Sequence, residues 1–443
     1  MANSDSVLGV SADKWLKWMC FAPAVAVYLF FFANRHTHFT QFPFDLFCYL
    51  GLVLLALLLR ALKSELKGYF ALLCFFNILA LYLLLVAKAE ISRPAAIVGV
   101  ATYLGILLIH WSLVRIFSAQ RSKWALLPFF FPIACLVLFK TIFPLGMVYL
   151  IGFSYTAFRI SFVVFEIRNR KVAMPTLFQY LSYAAFFPLL VVGPISRYET
   201  FLKGTEPNKD GSLISSALVA IERIAVGVVK CMCLAVLCNQ LTFESLLPDA
   251  QYHPLIDFFI ACIFDYFHLY FNFSGMCDIA IGLSGLMGIE VDENFDYPFL
   301  ARNIKDFWNR WHITLSHFLR DVLFTPVTKS FLNKFGRRYQ NPIISFGSLL
   351  VFITIGLWHG FQWNYVLLGL WHGLGFVVNQ YYSVVLKRWL GPARFHAYLH
   401  NRFVSTLAIS LTFLYISASF FFFANNTEKM ARVMRILYGS SNW

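Results

Sequence analysis

Charge is scarce in this sequence. Asp, Glu, Lys and Arg together make up 13% of 443 residues, and only 22 residues are acidic. So little charge over such a length excludes an ordinary soluble protein, whose composition is about 25% charged. Alternating segments of about ten residues are also missing, which sets aside a membrane β-barrel. The nine cysteines include no metal-ligand CxxC pair. Each lies in or beside an apolar block, where cysteine behaves as a small buried residue. There is no GxSxG elbow, no HExxH, no phosphate-binding Walker loop and no GxGxxG followed by an acidic residue. A serine hydrolase, a zinc protease and an ATP-driven pump lose support accordingly.

What is present is apolar: 59% hydrophobic residues, 50 of them Phe. Many fall in blocks of about 17–25, the length a helix needs to cross a hydrocarbon core of roughly 30 Å. The chain therefore reads as an all-α polytopic membrane protein. The net charge of +14 is not a nucleic-acid signal. Lys and Arg gather in short loops between apolar blocks, as the positive-inside rule expects of cytoplasmic loops. The polar start, before an apolar block that follows Lys17, reads as leading into a retained span, not a cleaved signal.

Expected spans are 18–33, 46–59, 68–86, 95–113, 124–139, 146–164, 213–241, 256–270, 276–287, 343–357, 366–385 and 403–423. With 276–287 too short for a full crossing, this makes about eleven transmembrane helices. The loop holding Arg35, His36 and His38 lies between the first two. Segment 178–192 is broken by Pro188 and followed by Gly193-Pro194, which points to a re-entrant or kinked element. Glu222, Arg223 and Lys230 interrupt 213–241, and Asp265, His268, Asn272 and Asp278 are buried polar candidates nearby. Residues 288–340 are too polar to cross lipid and read as in-plane helices. No second soluble domain or repeat is visible. Residues 1–123 are taken as N-terminal transmembrane helices and 124–443 as one integrated core.

Two histidines frame the most basic part of the chain. His359 closes the apolar stretch 351–358 and is flanked by Gly356 and Gly360. An ionisable group there is costly unless it faces a cavity or a partner, and imidazole moves protons near neutral pH. A histidine hydrogen-bonded between helices is the alternative. His312 ends Asp306-Phe-Trp-Asn-Arg-Trp-His312. Read as one helix, this region makes Asp306 and Arg310, His312 and Ser316, and Ser316 and Arg320 i,i+4 neighbours. A solvated amphipathic surface helix is the alternative there. His317 and His372 compete for a role, and His372, in a second Trp-His-Gly triplet, reads as a packing or supporting residue. A membrane site with one or two histidines suits acyl transfer, in which a base takes a hydroxyl proton as oxygen attacks an activated carbonyl. It also suits a proton-coupled transporter or flippase of a lipid-linked sugar.

Longer motifs separate these readings. Tyr270-Phe-Asn-Phe-Ser-Gly-Met-Cys-Asp278, Glu293-Asn294-Phe-Asp-Tyr297-Pro298, Ile304-Lys-Asp-Phe-Trp-Asn-Arg-Trp-His312 with Ser316 and Arg320-Asp321, and Gly356-Leu-Trp-His359-Gly360 resemble the membrane-bound O-acyltransferase family. Ser154-Tyr-Thr-Ala-Phe-Arg159 and Phe186-Phe-Pro-Leu-Leu-Val-Val-Gly193-Pro194 fit as well. The likeness is to the bacterial polysaccharide-modifying branch. Its D-alanyl-transfer members for teichoic acid match somewhat better than its alginate O-acetylation members.

The resemblance implies helices around a central tunnel, with His359 as the catalytic proton acceptor and His312 assisting. Asp278, Asn294, Asp306, Trp308, Arg310, Trp311, Ser316, Arg320 and Trp358 are the implied supporting or donor-binding residues. It implies no permanently bound cofactor. The donor is a phosphopantetheine thioester, on an acyl carrier protein or CoA at the cytoplasmic face, where Arg302, Lys305 and the basic stretch 329–338 could receive it. The acceptor is an extracytoplasmic hydroxyl on a cell-envelope polysaccharide or a relay transferase, and the location is the plasma or inner membrane. Nucleic acid is not an expected partner.

Overall fold

A computed structural model describes residues 55–60, 63, 68–87, 92–117, 123–142, 150–206, 213–246 and 254–438. The expected span 18–33, most of 46–59 and the loop with Arg35, His36 and His38 lie outside the described residues. In chain order the helices are α1 (Tyr69–Ala87), α2 (Arg93–Phe117), α3 (Leu127–Thr141), α4 (Phe153–Arg168), α5 (Leu177–Ala184), α6 (Tyr198–Thr205) and α7 (Leu213–Val229). A π-turn, Lys230–Leu234, joins α7 to α8 (Ala235–Asn239), followed by α9 (Phe243–Leu246) and α10 (Pro254–Leu286). Then come α11 (Ile304–Arg310), α12 (Ile313–Leu319), a second π-turn Arg320–Phe324, α13 (Thr325–Phe335), α14 (Gln340–His359), α15 (Trp363–His400), α16 (Arg402–Ala424) and α17 (Thr427–Tyr438).

Among the described residues, six helices are long and apolar enough to cross a membrane: Tyr69–Val86, Arg93–Phe117, Ser215–Leu246, Pro254–Leu286, Arg337–His359 and Arg402–Ala424. The protein is thus a multi-pass, all-α membrane protein. The two expected segments 256–270 and 276–287 form one 33-residue helix, α10. No proline separates them, and Gly275 faces a close neighbour: a Cβ there would sit 2.6 Å from the Gly227 carbonyl oxygen of α7. Small residues let helix backbones approach in this way in membranes. The expected span 124–139 is α3, whose 15 residues reach only about 22 Å. Over 366–385 the chain is helical, but α15 is not among the six apolar helices. Asn364, His372, Asn379 and Gln380 dilute its apolar content, and it kinks at Gly391, where φ is 71°.

The described chain divides into two compact units, Met1–Cys233 with Phe273–Asp292, and Leu234–Asn272 with Glu293–Trp443. In the first, the break foreseen around Pro188 is real. Helix α5 ends at Ala184 and a short 3-10 turn covers Phe187–Leu189. Buried carbonyls freed by such a break need donors. Fully buried Arg159, from α4, donates to the carbonyls of Tyr183, Ala184 and Leu189, and its guanidinium lies 4.9 Å from the Tyr183 ring centroid. Asn77, from α1, donates to the Ser182 carbonyl and accepts from the Phe187 N–H, both at 3.0 Å. Glu166, seven residues past Arg159 on the same helix, accepts the backbone N–H groups of Tyr198 and Glu199 at 3.1 Å and so caps α6.

Replacing Arg159 takes a donor from three buried carbonyls at once, although Tyr183 keeps the Phe186 N–H at 3.3 Å and Ala184 keeps the Thr156 hydroxyl at 3.4 Å. Arg159→Met is expected to lower stability by about 1–3 kcal/mol, the cost of a buried unsatisfied polar group, and Arg159→Lys by less, because one ammonium still reaches one carbonyl. Thermal unfolding of the purified protein in detergent checks the order.

Candidate active site

The histidines foreseen in the sequence lie in the second unit, and each is set by its own backbone device. Residues 306–321 are not one helix. Helix α11 stops at Arg310, Trp311 is extended (φ −106°, ψ 127°), and His312 takes a left-handed conformation (φ 44°, ψ 53°) ahead of α12. The cause is the segment 294–296, which captures this stretch. Asp296 N–H donates to the Arg310 carbonyl at 2.9 Å, Ile313 N–H donates to the Asn294 carbonyl at 3.0 Å, and Phe295 pairs with Trp311. His312 is the N-cap of α12, so the i,i+4 relation with Ser316 survives in the backbone: the Ser316 N–H donates to the His312 carbonyl at 3.1 Å.

Asn294 then fixes the imidazole. Its side-chain oxygen accepts from the Thr314 N–H at 3.2 Å, the Thr314 hydroxyl at 2.8 Å and His312 Nδ1 at 3.1 Å. A backbone N–H can only donate, so the Asn294 atom facing it is the oxygen. His312 Nδ1 must then carry a proton, and Nε2 of the neutral ring holds the lone pair. The ring is 3% exposed. Burial first, and the nearby charge of His359 second, hold its pKa down at about 3. His312, which lies outside the six apolar spans, is therefore neutral at physiological pH.

His359 is the last residue of α14 and is half-buried. Its ring lies 4.6 Å from Trp358, 5.1 Å from Phe423 and 6.0 Å from Tyr365, centroid to centroid. Trp358 also faces His312, edge to face at 6.2 Å, so one indole touches both imidazoles. The hairpin of α14 and α15 allows this because their backbones meet. A Cβ on Gly356 would stand 2.2 Å from the Tyr365 carbonyl oxygen, and one on Gly369 would stand 2.6 Å from that of Phe352. His372, further along α15, is buried and lies 5.2 Å from Trp308, with Phe307 and Phe352 stacked at 6.4 and 6.2 Å.

The remaining sequence candidates take different places. Asp306 accepts Arg310 Nε at 2.9 Å and the Arg302 N–H at 3.0 Å, and Arg310 reaches Asp296 at 3.1 Å. These three buttress the segment that carries Asn294. Trp311 is buried among Tyr266, Tyr270, Phe295 and Phe307. Arg320 is exposed and pairs with Asp321 at 2.9 Å, not with Ser316. Asp278 belongs to the first unit, where Arg223 and Lys230 both bind its carboxylate at 2.6 Å. Thr314, Tyr365 and Phe423 were not foreseen. Thr314 follows His312 by two residues and carries a local signal, whereas Tyr365 and Phe423 reach His359 only through folding. Among the described residues, no group of three or more His, Cys, Asp or Glu side chains could hold a metal ion.

Fold and site together define a polytopic helical membrane protein with paired histidines sharing one tryptophan. The chain belongs to the membrane-bound O-acyltransferase family, whose model matches residues 15–421. It is accordingly an O-acyltransferase. It is similar to the teichoic acid D-alanyltransferase of Streptococcus thermophilus, 28% identical over 340 residues, covering 71% of this chain and 80% of the relative. It is similar to the protein of that name from Bacillus subtilis, 29% identical over 286 residues, 63% of this chain and 70% of the relative. A peptidoglycan O-acetyltransferase of Helicobacter pylori is 30% identical over 278 residues, 61% of this chain and 49% of the relative.

Two outcomes follow from the Asn294 contact. Asn294→Ala removes the acceptor that His312 and Thr314 share, and is expected to cut acyl transfer by about tenfold or more. The pH dependence has a definite sign. Unfolded His312 titrates near 6.5 and folded His312 near 3, so between these values the unfolded chain binds more protons and stability falls as pH falls. Thermal scans in detergent from pH 7 to pH 4 should show this loss. It should shrink in His312→Asn, a residue that also tolerates the left-handed backbone.

Proposed function

We infer that this enzyme passes a small acyl group, D-alanyl in the first reading, from a cytoplasmic phosphopantetheine thioester to a hydroxyl outside the membrane. The acceptor is a cell-envelope polymer or a partner transferase that relays the group, and the enzyme works in the plasma or inner membrane. The observation that carries this reading is the pair of imidazoles held against one indole at the end of an apolar helix. His359 takes the proton of the acceptor hydroxyl as its oxygen attacks the thioester carbonyl. The tetrahedral intermediate collapses, the C–S bond breaks, and the departing thiolate receives the proton from His359. His312, neutral with its lone pair on Nε2, accepts a hydrogen bond from the incoming hydroxyl or from protonated His359. His359 is more exposed than His312, which suits the group that must charge and discharge in each cycle.

The D-alanyl reading is favoured because the alignment with the Streptococcus protein spans 80% of that relative, against 49% of the peptidoglycan O-acetyltransferase. O-acetyl transfer is the second reading, supported by the slightly higher identity of the latter. On the donor side, Lys329, Lys334, Arg337 and Arg338 are exposed along α13 and the turn after it, as are Arg302 and Lys305. Such a cluster suits an acidic carrier protein or the phosphates of CoA.

His359→Ala should abolish ester on the envelope polymer while the protein remains folded and present. Normal ester content in that strain would instead support a transporter or scaffold. Reversing Lys334, Arg337 and Arg338 to Glu should weaken binding of the carrier or of CoA by about tenfold or more without a matching loss of thermal stability. Unchanged binding in a titration with the purified triple variant contradicts the donor placement.

A further inference from the structure

This chain shows how it treats a buried ring nitrogen that only packs. His110 is fully buried, and both of its nitrogens are engaged, Nδ1 with the Tyr180 hydroxyl at 2.6 Å and Nε2 with the Pro128 carbonyl at 2.9 Å. The indole N–H of Trp111 donates to the Pro175 carbonyl at 3.1 Å, and that of Trp371 to the Tyr415 carbonyl at 3.2 Å. His372 and Trp308 differ from these three. His372 is 7% exposed, yet its Nδ1 has no hydrogen-bond partner among the described residues, and neither has the buried indole N–H of Trp308. The two rings are direct neighbours, 5.2 Å apart and nearly perpendicular. Phe307 and Phe352, whose rings pack against them, bring no side-chain acceptor.

Buried polar atoms in folded proteins are nearly always satisfied, and those that are not have a reason. Two such atoms on adjoining rings, in the unit that also holds His312 and His359, have an economical one. We propose that Trp308 and His372 form a substrate-binding wall that hydrogen-bonds a carbonyl oxygen of the donor's acyl-pantetheine arm. The proposal rests on the thioester-donor reading above. Trp308 can only donate, so the ligand atom must be an acceptor. In the Nδ1–H tautomer His372 donates as well, and one carbonyl oxygen has two lone pairs. The arm carries several carbonyls, whereas an ammonium or another donor-only group would meet the indole N–H unfavourably. A site built to hydrogen-bond its substrate loses affinity when the bond is missing, because its own buried groups then stay unpaired.

The test compares Trp308→Phe, His372→Phe and His372→Asn with the wild type and His359→Ala. Each is produced as the full chain at matched levels, with thermal unfolding measured in detergent. Envelope ester content is the first readout. The second is the KM for thiol release from acetyl-S-pantetheine and D-alanyl-S-pantetheine. Trp308→Phe and His372→Phe should raise the KM by about tenfold or more, with a smaller change in kcat, and should lower ester content. His372→Asn, whose amide can place a donor near the Nδ1 position, should restore much of the loss. Wild-type ester content and KM in both Phe variants would overturn the proposal, leaving water as the partner of the two atoms. Equal damage from His372→Asn and His372→Phe would overturn it too, in favour of packing. If the wild type and His359→Ala make equal ester, it is the thioester-donor reading itself that fails.

Discussion

One carboxamide oxygen, that of Asn294, governs the surroundings of His312. It accepts from a backbone N–H, a hydroxyl and an imidazole at once. The first contact stabilises the start of α12, the second holds Thr314, and the third sets the tautomer of His312. His312 pays for its place with a left-handed backbone, which for a residue other than glycine is strained by roughly 1–2 kcal/mol. The pairing of Phe295 with Trp311 and the brace of Asp306, Arg310 and Asp296 hold that conformation in place. Strain kept by such surroundings at a functional group fits a preorganised imidazole better than a solvated surface helix.

The same physics explains how a chain so poor in charge uses the charge it has. Away from water, each polar group must find its partner inside the protein. Arg159 and Asn77 serve the broken segment after α5, Glu166 caps α6, and Asp278 holds two cations, Arg223 and Lys230. These residues look like chemistry in the sequence, since intramembrane ionisable groups are functional candidates by default. In the structure the hydrogen bonds they make go to backbone groups or to one another, which is the pattern of a structural role.

The sequence made the helical membrane class legible because block length and loop charge are local signals. The break at Pro188 was legible for the same reason. The merger of 256–270 with 276–287 was not, because it depends on a glycine contact between α7 and α10 that no local pattern announces. His359 could be found because it ends an apolar run. The placement of His312 could not, because helical spacing says nothing of the 294–296 segment that interrupts 306–321. Asp278 lies in one of the recognisable motifs, and its ion-pair partners Arg223 and Lys230 were legible only as polar residues within one apolar span.

The division of labour proposed for the two histidines follows from their surroundings more than from their positions in the sequence. A group that cycles through a charged state needs solvation or a counter-group in reach, and complete burial penalises that state. His312 is closed in and locked in one tautomer by a neutral amide, and burial holds its charged form down. His359 stands at a helix C-terminus, where the helix dipole favours a positive charge, and it is less enclosed. Of two imidazoles touching the same indole, the one at the helix end is therefore the better proton carrier. The locked one is the better fixed hydrogen-bonding partner, and the glycine contacts of the α14–α15 hairpin are what bring that helix end into place.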